Sequence, residues 1–218
     1  MNKNIRFLLY FLYKKERRMK MVVEFRNSET KDNLMRAFAG ESQARNRYTM
    51  AAGQAIAQKQ QAIAQVFLYT ADQEKEHAQV FYDHLKELGG ETICVDGCYP
   101  VDITDDLAKL LRMAQHNEYE EHDDVYKRFA EKAKEEGFYK VATSFHMIGE
   151  IEKYHGDRFG KFAQWLENNK LHISDVKTGW ICLNCGFVYE GEQAPGRCPV
   201  CDHDQGYFIR LELSPFAE

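Results

Sequence analysis

At 218 residues, 44% hydrophobic and 29% charged, the chain is long enough to bury a substantial core, and its composition is not that of a disordered or collagenous protein. A formal net charge of -5 and a pI near 5.9 argue against a general binder of phosphate backbones, so nucleic acid is not an expected partner. Six cysteines are present, but four fall into two C-x-x-C pairs near the C-terminus, which is metal-ligand spacing rather than a disulfide framework; a reducing, cytoplasmic setting is expected.

The apolar run Ile5 to Tyr13 is flanked by Lys3, Arg6, Lys14, Lys15, Arg17, Arg18 and Lys20. Its length falls well short of the roughly 20 residues a spanning helix needs, so no stable membrane insertion is expected. No small-residue cleavage site follows it. Residues 1–24 are read as a disordered extension, with Met19 or Met21 as alternative starts and a weak surface anchor as the competing reading.

From Asn27-Ser28 a long helical pattern begins, carrying Leu34, Phe38, Glu41, Arg45 and Tyr48 on one stripe with Ala37 and Ala44 beside it. A second helix, from about Gln60 to Gly89-Gly90, has the stripe Ile63, Phe67, Thr70, Glu74, His77, Phe81 and Leu85. A connection over Glu91 to Ile103 follows, with Cys94 and Cys98 read as free thiols; a local redox pair is the alternative. Thr104 is the expected N-cap of a third helix with the stripe Leu107, Leu111, Ala114, Glu118, Glu121 and Val125, ending at Gly137. The fourth carries Val141, Phe145, Ile148, Glu152, His155, Phe159 and Phe162 and ends near Asn168-Asn169. Four amphipathic helices with no strand signal between them predict a four-helix bundle over residues 25–172.

Each helix therefore places a carboxylate where a hydrophobe belongs. An ionised carboxylate removed from water costs several kcal/mol unless it is paired. The two halves are offset copies: Glu41 recurs 77 residues later as Glu118, and Glu74 and His77 recur 78 residues later as Glu152 and His155. Glu121 in the second half corresponds to Ala44 in the first, so the two metal positions should differ. A lone Glu followed by Glu-x-x-His, twice over, matches the di-iron or di-manganese carboxylate site of ferritin-like bundles. The competing reading is a buried salt-bridge network with Arg45, which leaves most of five carboxylates uncompensated. Lys75, Glu76, Glu120, Glu150 and Lys153 fall off the stripes and should be solvated, and His122 and His146 are expected to be surface or packing residues. Tyr48 and Tyr126 could hydrogen-bond a ligand carboxylate; as core aromatics with satisfied hydroxyls they would look the same from spacing alone.

Past Asp175 the helical periodicity stops. Residues 175–218 read as a small domain with short β-strands that relies on a metal, because so short a segment buries little. Cys182-x-x-Cys185 and Cys198-x-x-Cys201, separated by twelve residues, form a tetrahedral four-thiolate site that fits zinc or a single iron. The surrounding Gly186-Phe187-x-Tyr189 and Ala194-Pro195 resemble rubredoxin, which holds one redox-active iron; zinc could replace it during preparation. The pattern departs at Asp202, where glycine is usual, and Asp tolerates the left-handed backbone needed there.

A ferritin-like bundle followed by a rubredoxin-like tail resembles the rubrerythrin family. The most specific segments are Gly40-Glu41-Ser42-x-Ala44, Glu74-x-x-His77-Ala78, Glu118-Tyr119-x-Glu121, Glu135-Glu136-Gly137-Phe138 and Glu152-x-x-His155, and the likeness extends from about Phe25 to Phe216. The resemblance implies a non-haem di-iron peroxidase acting on hydrogen peroxide in oxidative-stress defence. It implies that Glu41, Glu74, His77, Glu118, Glu121, Glu152 and His155 are iron ligands, Glu74 and Glu152 bridging, with one iron exchanging His77 for Glu121 as its redox state changes. It further implies electrons entering through the Cys182/Cys185/Cys198/Cys201 iron from a reductase or rubredoxin donor fed by a nicotinamide cofactor, and a homodimer. Two other readings are an iron-oxidising protein of the ferritin kind and a binding module whose tail is a zinc ribbon.

Overall fold

A computed structural model describes residues 23–214; the N-terminal extension and Phe216 lie outside the described residues, apart from Val23 and Glu24. Helix α1 spans Glu29–Ala57 and α2 Gln61–Asp83, followed by α3 Leu107–Glu120, a π-helical turn Glu121–Val125, α4 Tyr126–Glu136 and α5 Tyr139–Glu167. The third rod of the bundle is thus α3, the π-turn and α4 in series. No described helix is long and apolar enough to cross a membrane.

Local chemistry sets the ends. The Ser28 side chain accepts from the Lys31 amide and caps α1, whose first turn carries Glu29 and Asp32 where the helix dipole favours acids. Glu136, at the end of α4, accepts from the Thr30 amide at 2.9 Å and the Thr30 hydroxyl at 2.6 Å, tying the two helix ends together. Gly137 then adopts φ 94°, a left-handed position that releases the chain into α5. The third rod is capped by Asp106, which accepts from the Lys109 amide at 3.1 Å, and not by Thr104. Thr104 instead receives the Asp106 amide, and the carboxylate, a stronger acceptor at a positive helix end, takes the cap. The second helix leaves α geometry at Asp83, six residues before Gly89. A 3-10 turn over Lys86–Leu88 bridges the difference and buries Leu85 and Leu88.

The core is two apolar clusters with a polar layer between them. One holds Ala44, Tyr48, Ile63, Phe67, Ala71, Leu111, Ala114 and Phe159. The other holds Leu34, Ala37, Phe81, Tyr126, Phe145 and Ile148. Each rod crosses from one cluster to the other at its glutamate: Glu41 between Ala37 and Ala44, Glu74 between Ala71 and Phe81, Glu118 between Ala114 and Tyr126, Glu152 between Ile148 and Phe159. A Cβ on Gly149 would come within 3.3 Å of Tyr126 Cβ, so glycine lets the third rod approach α5 closely enough to aim Tyr126 into this layer. Arg45 is exposed rather than on the buried stripe, and takes no part in the layer.

The tail forms an antiparallel three-stranded sheet, β1 (Ile173–Cys182), β2 (Val188–Gln193) and β3 (Phe208–Arg210), in the order β2-β1-β3. Its small core is Trp180, Ala194, Phe208 and the thiols Cys182 and Cys198. Ile209 joins the bundle core, and a Cβ on Gly206 would fall 1.8 Å from the Lys59 carbonyl oxygen, so the tail seats directly on the turn between α1 and α2.

Candidate metal centres

Six of the seven predicted bundle donors are sealed from solvent: Glu41, Glu152 and His155 are 0% exposed, Glu74 and Glu118 1%, and His77 7%. Glu121 is half-buried. Donor atoms of Glu74, His77, Glu152 and His155 gather within 4.8 Å of one another, and so do those of Glu41, Glu121 and Glu152. Glu152 belongs to both groups, which sets the two positions side by side. Glu118 joins the first group, its Oε2 lying 3.5 Å from His155 Nδ1.

Close approach without hydrogen-bond direction distinguishes this layer from a salt-bridge network. His155 Nδ1 is 2.8 Å from Glu152 Oε2 and 2.9 Å from Glu74 Oε1, yet none of these three atoms has a hydrogen-bond partner. Glu41 Oε2, Glu118 Oε2, Glu152 Oε1 and His155 Nε2 are likewise buried and unpartnered. Native interiors rarely leave so many polar atoms orphaned in one place. Lone pairs converging on common points, with oxygen predominating over imidazole nitrogen, fit two hard or borderline cations such as iron or manganese.

The opposite face of each group is anchored. Tyr48 donates its hydroxyl to Glu118 Oε1, and Tyr126 donates to Glu41 Oε1. Burial and the adjacent Glu118 carboxylate push the Tyr48 phenol well above its ordinary value; burial and Glu41 do the same to Tyr126. Both phenols therefore stay protonated and fix one oxygen of each acid, leaving the other for a cation.

The charge balance without a cation is unfavourable. Burial, then the neighbouring carboxylates Glu152 and Glu121, push Glu41 well up; burial and Glu118 do so for Glu121; burial and Glu74 raise Glu118 to about 8. Burial opposes the charged imidazoles, but Glu152 and Glu74 lift His77 to about 9, and Glu118, Glu152 and Glu74 lift His155 to about 12. Burial also opposes the Glu74 carboxylate, but His155 and His77 outweigh it and hold Glu74 down to about 2. Glu41, Glu118 and Glu121 bind more protons folded than unfolded, so their contribution is full below 4.5 and lost as pH rises; Glu118 loses it by about pH 8. The two histidines act in the same direction above 6.5, and Glu74 acts oppositely only below 4.5. Metal-free protein should therefore lose thermal stability between about pH 5 and about pH 8, while metal-loaded protein should change little. Calorimetry at both pH values checks this, and equal stability of the metal-free form at the two would contradict it.

In the tail, Sγ–Sγ separations are 3.7 Å for Cys182–Cys201 and 3.5 Å for Cys185–Cys198. Four sulfurs about 2.3 Å from one tetrahedral ion stand about 3.8 Å apart, so these thiols are already spaced for one. The two C-x-x-C turns match: the Gly186 amide donates to the Cys182 carbonyl at 2.8 Å and the Asp202 amide to the Cys198 carbonyl at 2.9 Å. Gly186 has φ 76° and Asp202 φ 59°, so Asp202 occupies the left-handed position expected of it. Burial opposes ionisation of Cys201, but the His203 amide and the adjacent thiols hold it down to about 6. The Phe187 amide favours ionised Cys185, yet burial and the other sulfurs push it up to about 12, so charge cannot spread over all four without a cation. Cys94 and Cys98 are exposed and lie outside this cluster.

Off-stripe expectations hold. Lys75, Glu76, Glu120, Glu150, Lys153 and His146 are exposed, and His122 is half-buried with Nδ1 2.7 Å from the Gly149 carbonyl. Two residues around the centre were not legible in sequence. Asp102 is bound by Arg47 and by Asn117 Nδ2, the latter at 2.8 Å, which pins the long connection over the third rod. Arg158 donates to Thr70 Oγ1 at 2.9 Å and Gln73 Oε1 at 3.0 Å beside the Glu74/Glu118 side. Neither pair has a local spacing signal, because each forms between distant segments.

Comparison with known proteins agrees with this geometry. The rubrerythrin family profile matches residues 32–163, and that of the rubrerythrin rubredoxin-like domain matches residues 180–209. The chain is 43% identical to rubrerythrin of Clostridium perfringens over 84% of this chain and 94% of that one, and 38% identical to rubrerythrin of Porphyromonas gingivalis over 91% and 98%. A solved structure of mixed-valence nigerythrin superposes with a TM-score of 0.57 at 27% identity, covering 88% of each chain. With one profile over its buried Glu/His layer, the other over its four-thiolate tail, and 43% identity to a rubrerythrin across most of both chains, the chain belongs to the rubrerythrin family.

Proposed function

We propose that this chain is a non-haem di-iron peroxidase that reduces hydrogen peroxide to water, with electrons relayed through an iron at Cys182, Cys185, Cys198 and Cys201. The observation that carries the reading is the presence, in one chain, of a sealed carboxylate/imidazole layer for two cations and a separate four-thiolate site. Glu74, Glu152, Glu118 and His155 would hold one ion, and Glu41, Glu121 and Glu152 the other, with His77 beside Glu152 as an alternative donor to Glu121. That both His77 and Glu121 approach Glu152 supports their alternating there. Iron held there would supply the two electrons that, with two protons, convert hydrogen peroxide to two waters, and iron held by the four thiols would be the source that replaces them.

The protein's part is to position and to exclude. Tyr48 and Tyr126 hold Glu118 and Glu41 in orientation and keep hydroxyl protons next to the reacting centre. The two apolar clusters keep bulk water from both ends of the layer. A second copy of the chain and a reductase drawing on a nicotinamide cofactor complete the proposed system in the cytoplasm. Stopped-flow mixing of anaerobically reduced protein with peroxide or with dioxygen tests the reading. Oxidation by peroxide should be at least about tenfold faster. Faster oxidation by dioxygen would favour an iron-oxidising role of the ferritin kind.

A further inference from the structure

Glu121 differs from the other bundle donors in being reached from outside. A cavity of about 590 Å³ is lined by Glu121, Tyr126 and Arg47 and roofed by Gly97, Cys98, Tyr99 and Pro100 of the long connection. The remaining six donors are at most 7% exposed, and apolar clusters close the layer along the bundle axis on both sides. The roof is a built structure. Asp102 is held by Arg47 and Asn117, Asp96 lies 2.9 Å from the Arg36 guanidinium, and the Tyr99 hydroxyl donates to the Arg36 carbonyl at 3.2 Å. The Tyr99 ring lies over Gly40 of α1: a Cβ on Gly40 would sit 3.9 Å from the ring, and one on Gly97 would collide with the Tyr99 hydroxyl at 2.8 Å and the ring at 2.9 Å. Gly97 is therefore what leaves room for the ring to fold back over Gly40, where a side chain as well as backbone lines the cavity.

We infer that this cavity is the route by which hydrogen peroxide reaches the bundle centre, and that Tyr99 sets the size of hydroperoxide admitted. The inference rests on the peroxidase reading. Peroxide is a small neutral molecule that both donates and accepts hydrogen bonds, and the lining offers guanidinium donors at Arg36 and Arg47 and acceptors at Glu121 and Asn117. A bulkier organic hydroperoxide would have to displace the Tyr99 ring.

The test uses full-length, metal-loaded protein carrying Tyr99→Ala or Gly40→Leu. Reduced protein is mixed with hydrogen peroxide or cumene hydroperoxide, and azide association with the oxidised protein is followed by absorbance, a binding readout without turnover. Tyr99→Ala should raise the rate with cumene hydroperoxide about tenfold and change that with hydrogen peroxide by less than about twofold. Gly40→Leu, filling the space beneath the ring, should slow both peroxide oxidation and azide association about tenfold while leaving the azide Kd unchanged. Should Gly40→Leu fail to fold, Tyr99→Ala, altering a half-exposed side chain, still decides the question. If the wild-type protein reacts rapidly with peroxide but the variants keep its hydroperoxide ratio and azide association rate, the route is wrong and the peroxidase reading stands. If wild-type protein does not prefer peroxide to dioxygen, both fall.

Discussion

Replacing Glu41 with glutamine is expected to stabilise the metal-free protein and to weaken metal binding. Glu41 is fully buried, one oxygen accepts from Tyr126, and the other has no hydrogen-bond partner. Burial, with Glu152, Glu121 and Glu74 close by, pushes its carboxyl well up, so the empty site favours the uncharged acid. Glutamine has the shape of that acid, keeps the acceptor for Tyr126 and turns the orphaned oxygen into an amide donor facing Glu121 and Glu152. Glutamine is neutral without a bound proton, so the folded state no longer bears the cost of protonating, or burying ionised, a side chain that is charged in the unfolded chain. This is worth about 2 kcal/mol, or a rise of about 4–8 °C in the Tm of the metal-free form at about pH 8. In loaded protein the same change removes an anionic ligand, and affinity at that position should fall at least about a hundredfold. The signs are opposite in the two states. A layer serving only as a structural salt-bridge network would be destabilised by the substitution with or without metal, so thermal unfolding in both states decides between them.

Withdrawing the ion from the tail should unfold that segment while the helices persist. The tail buries little beyond Trp180, Ala194, Phe208 and the clustered thiols Cys182 and Cys198, too small a core to offset the entropy of ordering the chain. Binding of a structural ion by four thiolates contributes on the order of 10 kcal/mol, which here is nearly the whole folding free energy of the segment. Without the ion, the spacing of 3.5–3.7 Å between sulfurs has nothing to balance thiolate repulsion. Cys198→Ser, in a Trp165→Phe background so that emission reports Trp180 alone, should red-shift the fluorescence and remove the Trp180 Nε1 bond to the Gly191 carbonyl. Far-ultraviolet helix signal should remain, with the bundle Tm lowered by a few degrees because Ile209 leaves its core. An unshifted Trp180 emission after loss of the metal would contradict this account.

The alternation of apolar and acidic positions was legible because helical periodicity is local. The stripe Ile63, Phe67, Thr70, Glu74, His77, Phe81 and Leu85 is buried throughout, as are Glu41, Glu118 and Glu152, since residues three or four apart share one face of a helix. The C-x-x-C turns were legible for the same reason, each being closed within five residues. Arg45 is exposed because a step of four from Glu41 overshoots the 3.6-residue turn by about 40°, and the step of three to buried Tyr48 brings the stripe back. Thr104 and Asp106 offer competing caps two residues apart, and the carboxylate takes the helix end.

Composition and spacing by themselves determined four amphipathic rods, the acids and imidazoles at their centre, and the four-thiolate tail, because each depends on residues close in the chain. Only the tertiary structure decided which group meets which. Tyr48 turns to Glu118 of the other half and Tyr126 to Glu41, a crossing that depends on how the rods are arranged. The π-turn at Glu121–Val125 adds residues that no 3.6-residue pattern foresees. The roof over Glu121 is likewise beyond spacing, because a connection without periodicity is placed only by the partners it finds, here Arg36, Arg47 and Asn117.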